Sequence, residues 1–242
     1  MSLPTSPVGA EPNGRLERRA ELHRALGDPL RLAIVDALAL SDLTPSEVQA
    51  RFDVPSNLLA HHLGILEAVG LVQRSRSQGD ARRRYLSLRR DALEIEAVGS
   101  PSFEASRVVF VCTANSARSP LASAIWDSYG TDIPSTSAGT HPAGIVHPMA
   151  HEAARRHGLV ITHRPQALDD LVRSDDLVVT VCDQAHEEGV GGGLHWSIPD
   201  PARDGRPEAF VDVFARLRER VAALVQHASA NQVVTERGRP RP

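Results

Sequence analysis

Fourteen residues, Arg107-Val-Val-Phe-Val-Cys112-Thr-Ala-Asn-Ser-Ala-Arg118-Ser119-Pro120, constrain the fold of this chain more than any other stretch. Val108 to Val111 make a short apolar run of the kind a parallel strand buried on both faces shows. Ser119 followed by Pro120 opens a helix, because proline is tolerated in the first turn, where its missing N–H costs nothing. The loop between them, Thr113, Ala114, Asn115, Ser116 and Ala117, is so short that it must curl back over the helix N-terminus. Its backbone N–H groups then converge on one point, reinforced by the helix dipole. That point fits a tetrahedral dianion, so residues Thr113 to Ser119 form the expected oxyanion-binding set. The same positive potential favours a thiolate at Cys112, and the planar fork of Arg118 matches two oxyanion oxygens at once. Packing Cys112 as a small buried hydrophobe would leave the strand before it and the helix start after it without a common purpose.

A chain of 242 residues fits one small and one medium domain. Net charge is −3, and neither half is globally basic: residues 1–100 hold 13 Arg against 13 Asp plus Glu, and the remainder 14 against 17. Nucleic-acid binding therefore requires a local cluster. No run approaches the length of a membrane span, and no charged-then-apolar leader precedes the first helix. With only Cys112 and Cys182, a disulfide scaffold is excluded and a reducing, cytoplasmic setting is expected.

Residues 1–14, rich in Pro and Gly, read as a disordered lead. A polar helix from Leu16 to Leu26 is expected next, then a second from Pro29 with Asp28 as its N-cap. Thr44-Pro45-Ser46-Glu47 is a capping box that begins a third, short helix. A fourth helix, Pro55 to Val69, carries Leu59, Leu63 and Leu66 at helical spacing and stops at Gly70. Two strands, Leu71–Arg76 and Arg83–Leu88, follow around a Gln78-Gly79-Asp80 turn, and a last helix is expected at 91–98. The segment from ALGDPLRLAIVDALAL through EAVGLVQRSRSQGDARRRYLSL is similar to the ArsR-type winged-helix repressors. That resemblance implies a homodimer on double-stranded operator DNA, with the fourth helix in a major groove presenting Ser56, Asn57, Ala60 and His61. Asn57 is the best candidate for a base edge, because its amide both donates and accepts. The wing arginines Arg74, Arg76, Arg82, Arg83 and Arg84, with Arg89 and Arg90 beyond, supply the local basic cluster for phosphates. ArsR-type sensors hold metals through helix cysteines or paired histidines; Ser41-Asp42-Leu43-Thr44 has no thiol, and no metal site is expected.

Val98-Gly99-Ser100-Pro101-Ser102 breaks the pattern, which places domain one at 15–97, a linker at 98–106, domain two at 107–229 and a disordered tail at 230–242. Past the Cys112 loop, helices at Leu121–Tyr129, His147–Gly158, Leu168–Val172 and Pro207 to about His227 alternate with strands near Ile133–Ser137 and Asp176–Cys182. This alternation predicts an α/β doubly wound parallel sheet with its site at the carboxyl ends of the strands. His141, His147 and His151 lack an acidic or thiol partner to complete a metal shell. Asp200-Pro201 sits in a loop, Leu194 to Ala202, able to bring a carboxylic acid over the anion.

CTANSARSP resembles the phosphate-binding loop of the low-molecular-weight protein tyrosine phosphatases and of the arsenate reductases that share their fold, over about residues 107 to 226. The resemblance implies Cys112 as nucleophile, Arg118 as oxyanion clamp and Asp200 as general acid. The loop wording, the His-Trp-x-x-x-Asp-Pro-Ala segment and the fused ArsR-type domain lean towards arsenate; protein tyrosine phosphatase is the alternative, and a non-turnover oxyanion sensor the second. Thioredoxin-coupled relatives use a resolving thiol like Cys182 and another seven residues later, where this chain has Gly189. The expectation is therefore an external thiol reductant, mycothiol-like or thioredoxin, with no bound cofactor.

Overall fold

Local capping decides where the helices of the first half begin. A computed structural model describes residues 13–89, 103–169, 171–190 and 193–230, which divide into two compact units. Helix α1 spans Asn13–Leu26, so the last two residues of the expected lead are already helical, while residues 1–12 lie outside the described residues. In α2, Pro29–Leu40, the Asp28 carboxylate accepts from the Arg31 amide and Pro29 occupies the first turn. The capping box of α3, Pro45–Phe52, is complete, since Thr44 accepts from the Glu47 amide and Glu47 accepts from the Thr44 amide. Asp53 turns the chain at φ 48, and α4, Ser56–Ala68, follows. Ile34, Val35, Leu38, Val48, Leu59, Leu63 and Leu66 close one core beneath a hairpin of β1, Val72–Arg76, and β2, Arg84–Leu88. Leu43 adds an antiparallel bridge to Leu86. The order is helix-turn-helix and wing, as expected; the helix predicted at 91–98 lies outside the described residues.

In the second unit the apolar run becomes the centre of a four-stranded parallel sheet. Strand β4, Arg107–Cys112, lies between β5, Ser135–Gly139, and β6, Asp176–Thr180, with β7, Gly193–His195, outside β6. Val108 to Val111 are fully buried, which is why both faces of this strand had to be apolar. From β4 the chain runs through α5, Arg118–Asp127, to β5 on one side, then through α6, Pro148–Arg156, to β6 on the other. The reversal creates a crevice at the carboxyl end of β4, where open α/β sheets bind ligands, and Cys112 is the last residue of that strand. Helix α9, Pro207–Gln226, buries Phe210, Val213, Phe214, Leu217, Val221 and Leu224 and packs with α5 and α6. At the opposite end of the sheet Arg107 grips Asp176, its register partner, through Nε (3.0 Å) and Nη2 (2.6 Å). Burial raises the Asp176 carboxyl, but hydrogen bonds from Arg107 and the Arg173 amide outweigh it and hold the group below the usual carboxylate range.

Several expectations for this unit need correction. Residues 98–106 are not all linker: Phe103–Ala105 form β3, paired in parallel with β8, Ala228–Ala230, so the unit extends beyond 107–229 at both ends. A three-residue strand has too little periodicity to be seen, and its partner lies at the far end of the chain. Among the described residues of Leu168–Val172 no helix is present. Ala167 bridges Gly139 and the Leu168 amide donates to the Gly139 carbonyl, so the backbone here is committed sideways, with a turn from Leu171 N to Leu168 O after it. Strand β6 stops at Thr180, two residues earlier than predicted, because Cys182 caps a short helix, α7, Asp183–Glu187, by accepting from the Ala185 amide. The first residues of the expected acid loop are strand β7, and Asp200 itself caps α8, Pro201–Asp204. Among the described residues no helix is long and apolar enough to cross a membrane.

Candidate functional site

The loop after β4 is shaped by where its carbonyls go. The Cys112, Thr113, Ala114 and Ser116 carbonyls accept from the amides of Thr140, His141, Ala143 and His147 respectively, at 2.8 to 3.2 Å. The peptides are trans, and in a planar trans peptide the N–H points opposite to the C=O. Fixing those four carbonyls outward therefore turns the amides of Thr113, Ala114, Asn115 and Ala117 inward, towards the start of α5. Gly139 permits this approach: a Cβ there would lie 2.7 Å from the Thr113 carbonyl oxygen and 2.9 Å from the Asn115 nitrogen.

Asn115 is the hub of the loop rather than a side-chain ligand. It is fully buried in the left-handed region at φ 46, a conformation that Asn tolerates better than most residues. Its Nδ2 donates to Ser119 Oγ (2.9 Å) and Ser137 Oγ (2.7 Å), and its Oδ1 accepts from the Gln166 amide (2.9 Å). Ser119 Oγ lies 3.0 Å from Cys112 Sγ. Because Asn115 supplies hydrogens to both serines, the Ser137 hydroxyl proton can point to His163 Nε2, and the Ser119 hydroxyl lies between the Ala138 carbonyl (3.3 Å), to which it donates, and Cys112 Sγ. His163 is half-buried and burial pushes its pKa down, which suits a neutral acceptor. The network thus links half-buried His163 to Cys112 through Ser137, Asn115 and Ser119. Asn115→Ala strands both serines and the Gln166 amide, so we expect a loss of about 2–4 kcal/mol in stability, measured by urea unfolding. A loss under about 0.5 kcal/mol, the level of an ordinary surface change, would refute the hub.

Two of the predicted catalytic residues, Arg118 and Asp200, meet. Arg118 is buried at the head of α5; its Nη1 donates to the Ile198 carbonyl (3.1 Å) and its Nη2 meets Asp200 Oδ2 at 3.2 Å. Asp200 Oδ1 accepts from the Ala202 amide, so the cap of α8 orients the acid. Trp196, buried against Phe110, anchors the same segment. Ser119 stands beside the sulfur rather than only lining an anion, and the Thr113 hydroxyl is 3.4 Å from Cys182 Sγ. Cys182 is buried, and burial, with the Cys112 sulfur nearby, pushes its thiol up despite the opposing pull of Arg118. Two of the three histidines weighed for a metal have other partners: His147 accepts from the Met149 amide and stacks on Phe210, and His141 pairs with Glu188. Sequence reasoning missed the Ser137–His163 arm and the buried Asp183–His195 pair (3.2 Å); each member sits far from its partner in the chain, without a spacing signature.

On the first unit Ser56, Asn57, Ala60 and His61 all lie on the exposed side of α4, while His62 turns inward to Asp28. Arg74, Arg76, Arg82, Arg83 and Arg84 of the wing segment are outside the core, and several are occupied: Arg74 with Glu67, Arg82 and Arg83 with Asp80, Arg76 with the Ala81 carbonyl. Exposed pairs of this kind are worth little.

Comparison with known proteins agrees with these two constructions. The model of the family described as low molecular weight phosphotyrosine protein phosphatase matches residues 107–234, and a helix-turn-helix domain model matches residues 26–74. An arsenate reductase of Halalkalibacterium halodurans is 31% identical over 128 residues, 49% of this chain and 91% of the relative. Arsenate reductase 2 of Staphylococcus saprophyticus is 30% identical over 130 residues, 49% of this chain and 92% of the relative. The crystal structure of arsenate reductase from Archaeoglobus fulgidus is 30% identical, with a TM-score of 0.44, covering 50% of this chain and 99% of that one.

Proposed function

The chain belongs to the low molecular weight phosphotyrosine protein phosphatase family, and we propose from that premise that it is an arsenate reductase fused to an operator-binding repressor domain. What supports the reading is the pairing of Arg118 with Asp200 at the end of the short loop that Cys112 begins. In this mechanism the Cys112 thiolate attacks arsenic of an arsenate held by the amides and Arg118, and Asp200 protonates the departing oxygen. A thiolate then attacks the Cys112 sulfur; the S–As bond breaks, its electron pair stays on arsenic, and arsenite leaves. A second thiol regenerates Cys112, so two thiols are oxidised to a disulfide for each arsenate reduced and one water is formed.

The attacking thiol in this reading is external, mycothiol-like or delivered by thioredoxin. Burial keeps Cys182 protonated and hence a weak attacker, and Gly189 supplies no further thiol. Arsenate is favoured over a phosphotyrosine ring by the named relatives and by Ala202-Arg203-Asp204 after the acid, which offers no aromatic surface for a ring. The first domain would bind a palindromic operator as a homodimer, with α4 and the wing against the DNA.

Arsenite formation from arsenate with mycothiol, glutathione or a thioredoxin system, beside hydrolysis of p-nitrophenyl phosphate, tests the assignment. The full chain should form arsenite with at least one thiol, and Cys182→Ser should retain turnover within a few-fold. Phosphate release without arsenite under any thiol would make it a phosphatase; loss of turnover in Cys182→Ser would move the attack inside the protein.

A further inference from the structure

Behind the Cys112 loop the second unit buries an ionisable pair that the mechanism above does not use. Asp183 and His195 are 3% and 2% exposed. His195 Nε2 lies 3.2 Å from Asp183 Oδ1, and Nδ1 lies 3.0 Å from Thr180 Oγ1. Thr180 ends β6 and Asp183 opens α7, so one imidazole ring spans the turn that carries Cys182. The same residue ends β7 and roots the segment that leads to Asp200. Next to it the Trp196 amide donates to the Thr180 carbonyl at 2.8 Å, and His186 stacks on the His195 ring at 4.1 Å and 11°.

Burial raises the Asp183 carboxyl, but the hydrogen bonds it accepts, that from His195 the largest among them, outweigh it and leave the group below the usual range. An ionised Asp183 imposes a proton on Nε2 and leaves Nδ1 facing the Thr180 hydroxyl, which fixes the ring's orientation. The carboxylate and the hydroxyl thus each face one nitrogen of the ring. A packed apolar side chain would fill the same space without the desolvation cost, so the matched polar set points to a positional role.

We propose that His195, oriented by Asp183, is a positioning residue that ties the Cys182 turn to the root of the Asp200 segment, keeping Cys182 sequestered and Asp200 on Arg118. The proposal rests on the reading of Cys112 and Asp200 given above, and the geometry gives it two separable consequences. Freeing the ring lets Asp200 drift, which lowers the rate of the proton-assisted step more than it weakens substrate binding. It also loosens the turn, which exposes Cys182.

The test uses the full chain as wild type, His195→Ala, His195→Gln and Asp183→Asn. One measurement is kcat and KM for arsenate with the active thiol and for p-nitrophenyl phosphate. The other is the rate of Cys182 alkylation, followed by mass spectrometry in a Cys112→Ser background. His195→Ala should lower kcat by about 10- to 100-fold, the penalty of a misplacement near 1 Å, with KM within about three-fold. Cys182 alkylation should rise about ten-fold or more as the turn opens locally. His195→Gln, which keeps a donor for Asp183, should recover most of both. Unchanged kcat and unchanged Cys182 reactivity in His195→Ala would overturn the proposal, as would a Gln variant no better than Ala. If His195→Ala does not fold, Asp183→Asn decides by the same two readouts, since it removes the anchor and leaves the ring. A wild type without turnover sinks the enzymatic reading, whereas protection of Cys182 still reports on the tie itself.

Discussion

Serine at position 112 is expected to lower turnover of arsenate and of p-nitrophenyl phosphate by at least about 10⁴-fold, since the covalent route is lost with its nucleophile. The exchange of sulfur for oxygen removes the thiolate while leaving the amide cradle intact. The four outward carbonyls are anchored by residues 140–147, and Asn115 holds Ser119 and Ser137 without help from the sulfur. Phosphate should therefore still bind, seen as a rise in Tm with added phosphate. Intact-mass spectra of the variant should show no substrate adduct. Residual turnover within ten-fold of wild type would mean that the chemistry runs elsewhere.

The second large effect concerns the acid. Asp200→Asn should slow release of a poor leaving group by about 10² to 10⁴ and leave alkylation of Cys112 unchanged. The substitution is clean for a structural reason: Asp200 caps α8 by accepting from the Ala202 amide, and Asn caps as well as Asp. What disappears is the proton and the ion pair with Arg118. Leaving-group dependence separates the two losses. An activated phenyl ester needs little proton assistance, so its rate should fall far less than that of an alkyl phosphate. A drop of less than a few-fold on both would assign the proton to another group.

The parts of this fold that could be read from the chain were those coded locally. Asp28, the Thr44–Glu47 box and His147-Pro148 are helix starts in which cap and capped amide lie within three residues, and each forms as expected. The run Val108 to Val111 announced a strand buried on both faces because four consecutive β-branched and aromatic apolar residues before a loop suit a strand covered on both sides. Cys112 and Arg118 share one loop and were legible for that reason; Asp200 needed the resemblance, since nothing in its own segment says what it will face. Illegible features depend on distant partners. β3 exists only because β8 lies beside it, and β7 only because β6 supplies an edge. His163 enters the Cys112 network through Ser137 and Asn115, and His195 meets Asp183 across a loop. In each case the side chain alone reads as an ordinary polar residue. Cys182 shows the opposite error: its apolar neighbours extended the predicted strand, whereas its sulfur serves as a helix cap.

The pairing of β3 with β8 brings the two ends of the second unit side by side, with Phe103 opposite Ala228. Neighbouring strands are about 5 Å apart and rise roughly 3.3 Å per residue, so a bridge of only a few glycines would join residue 230 to residue 103. The unit is in effect a ring cut at one point, and the cut is free to move. New termini opened in the exposed turn at Gly144 and Ile145 or after Gly158 would preserve the order of strands around Cys112. The same adjacency sets the limits for an excised domain: a fragment trimmed to residues 107–226 would lose both members of the pair and bare the edge that they close on each other.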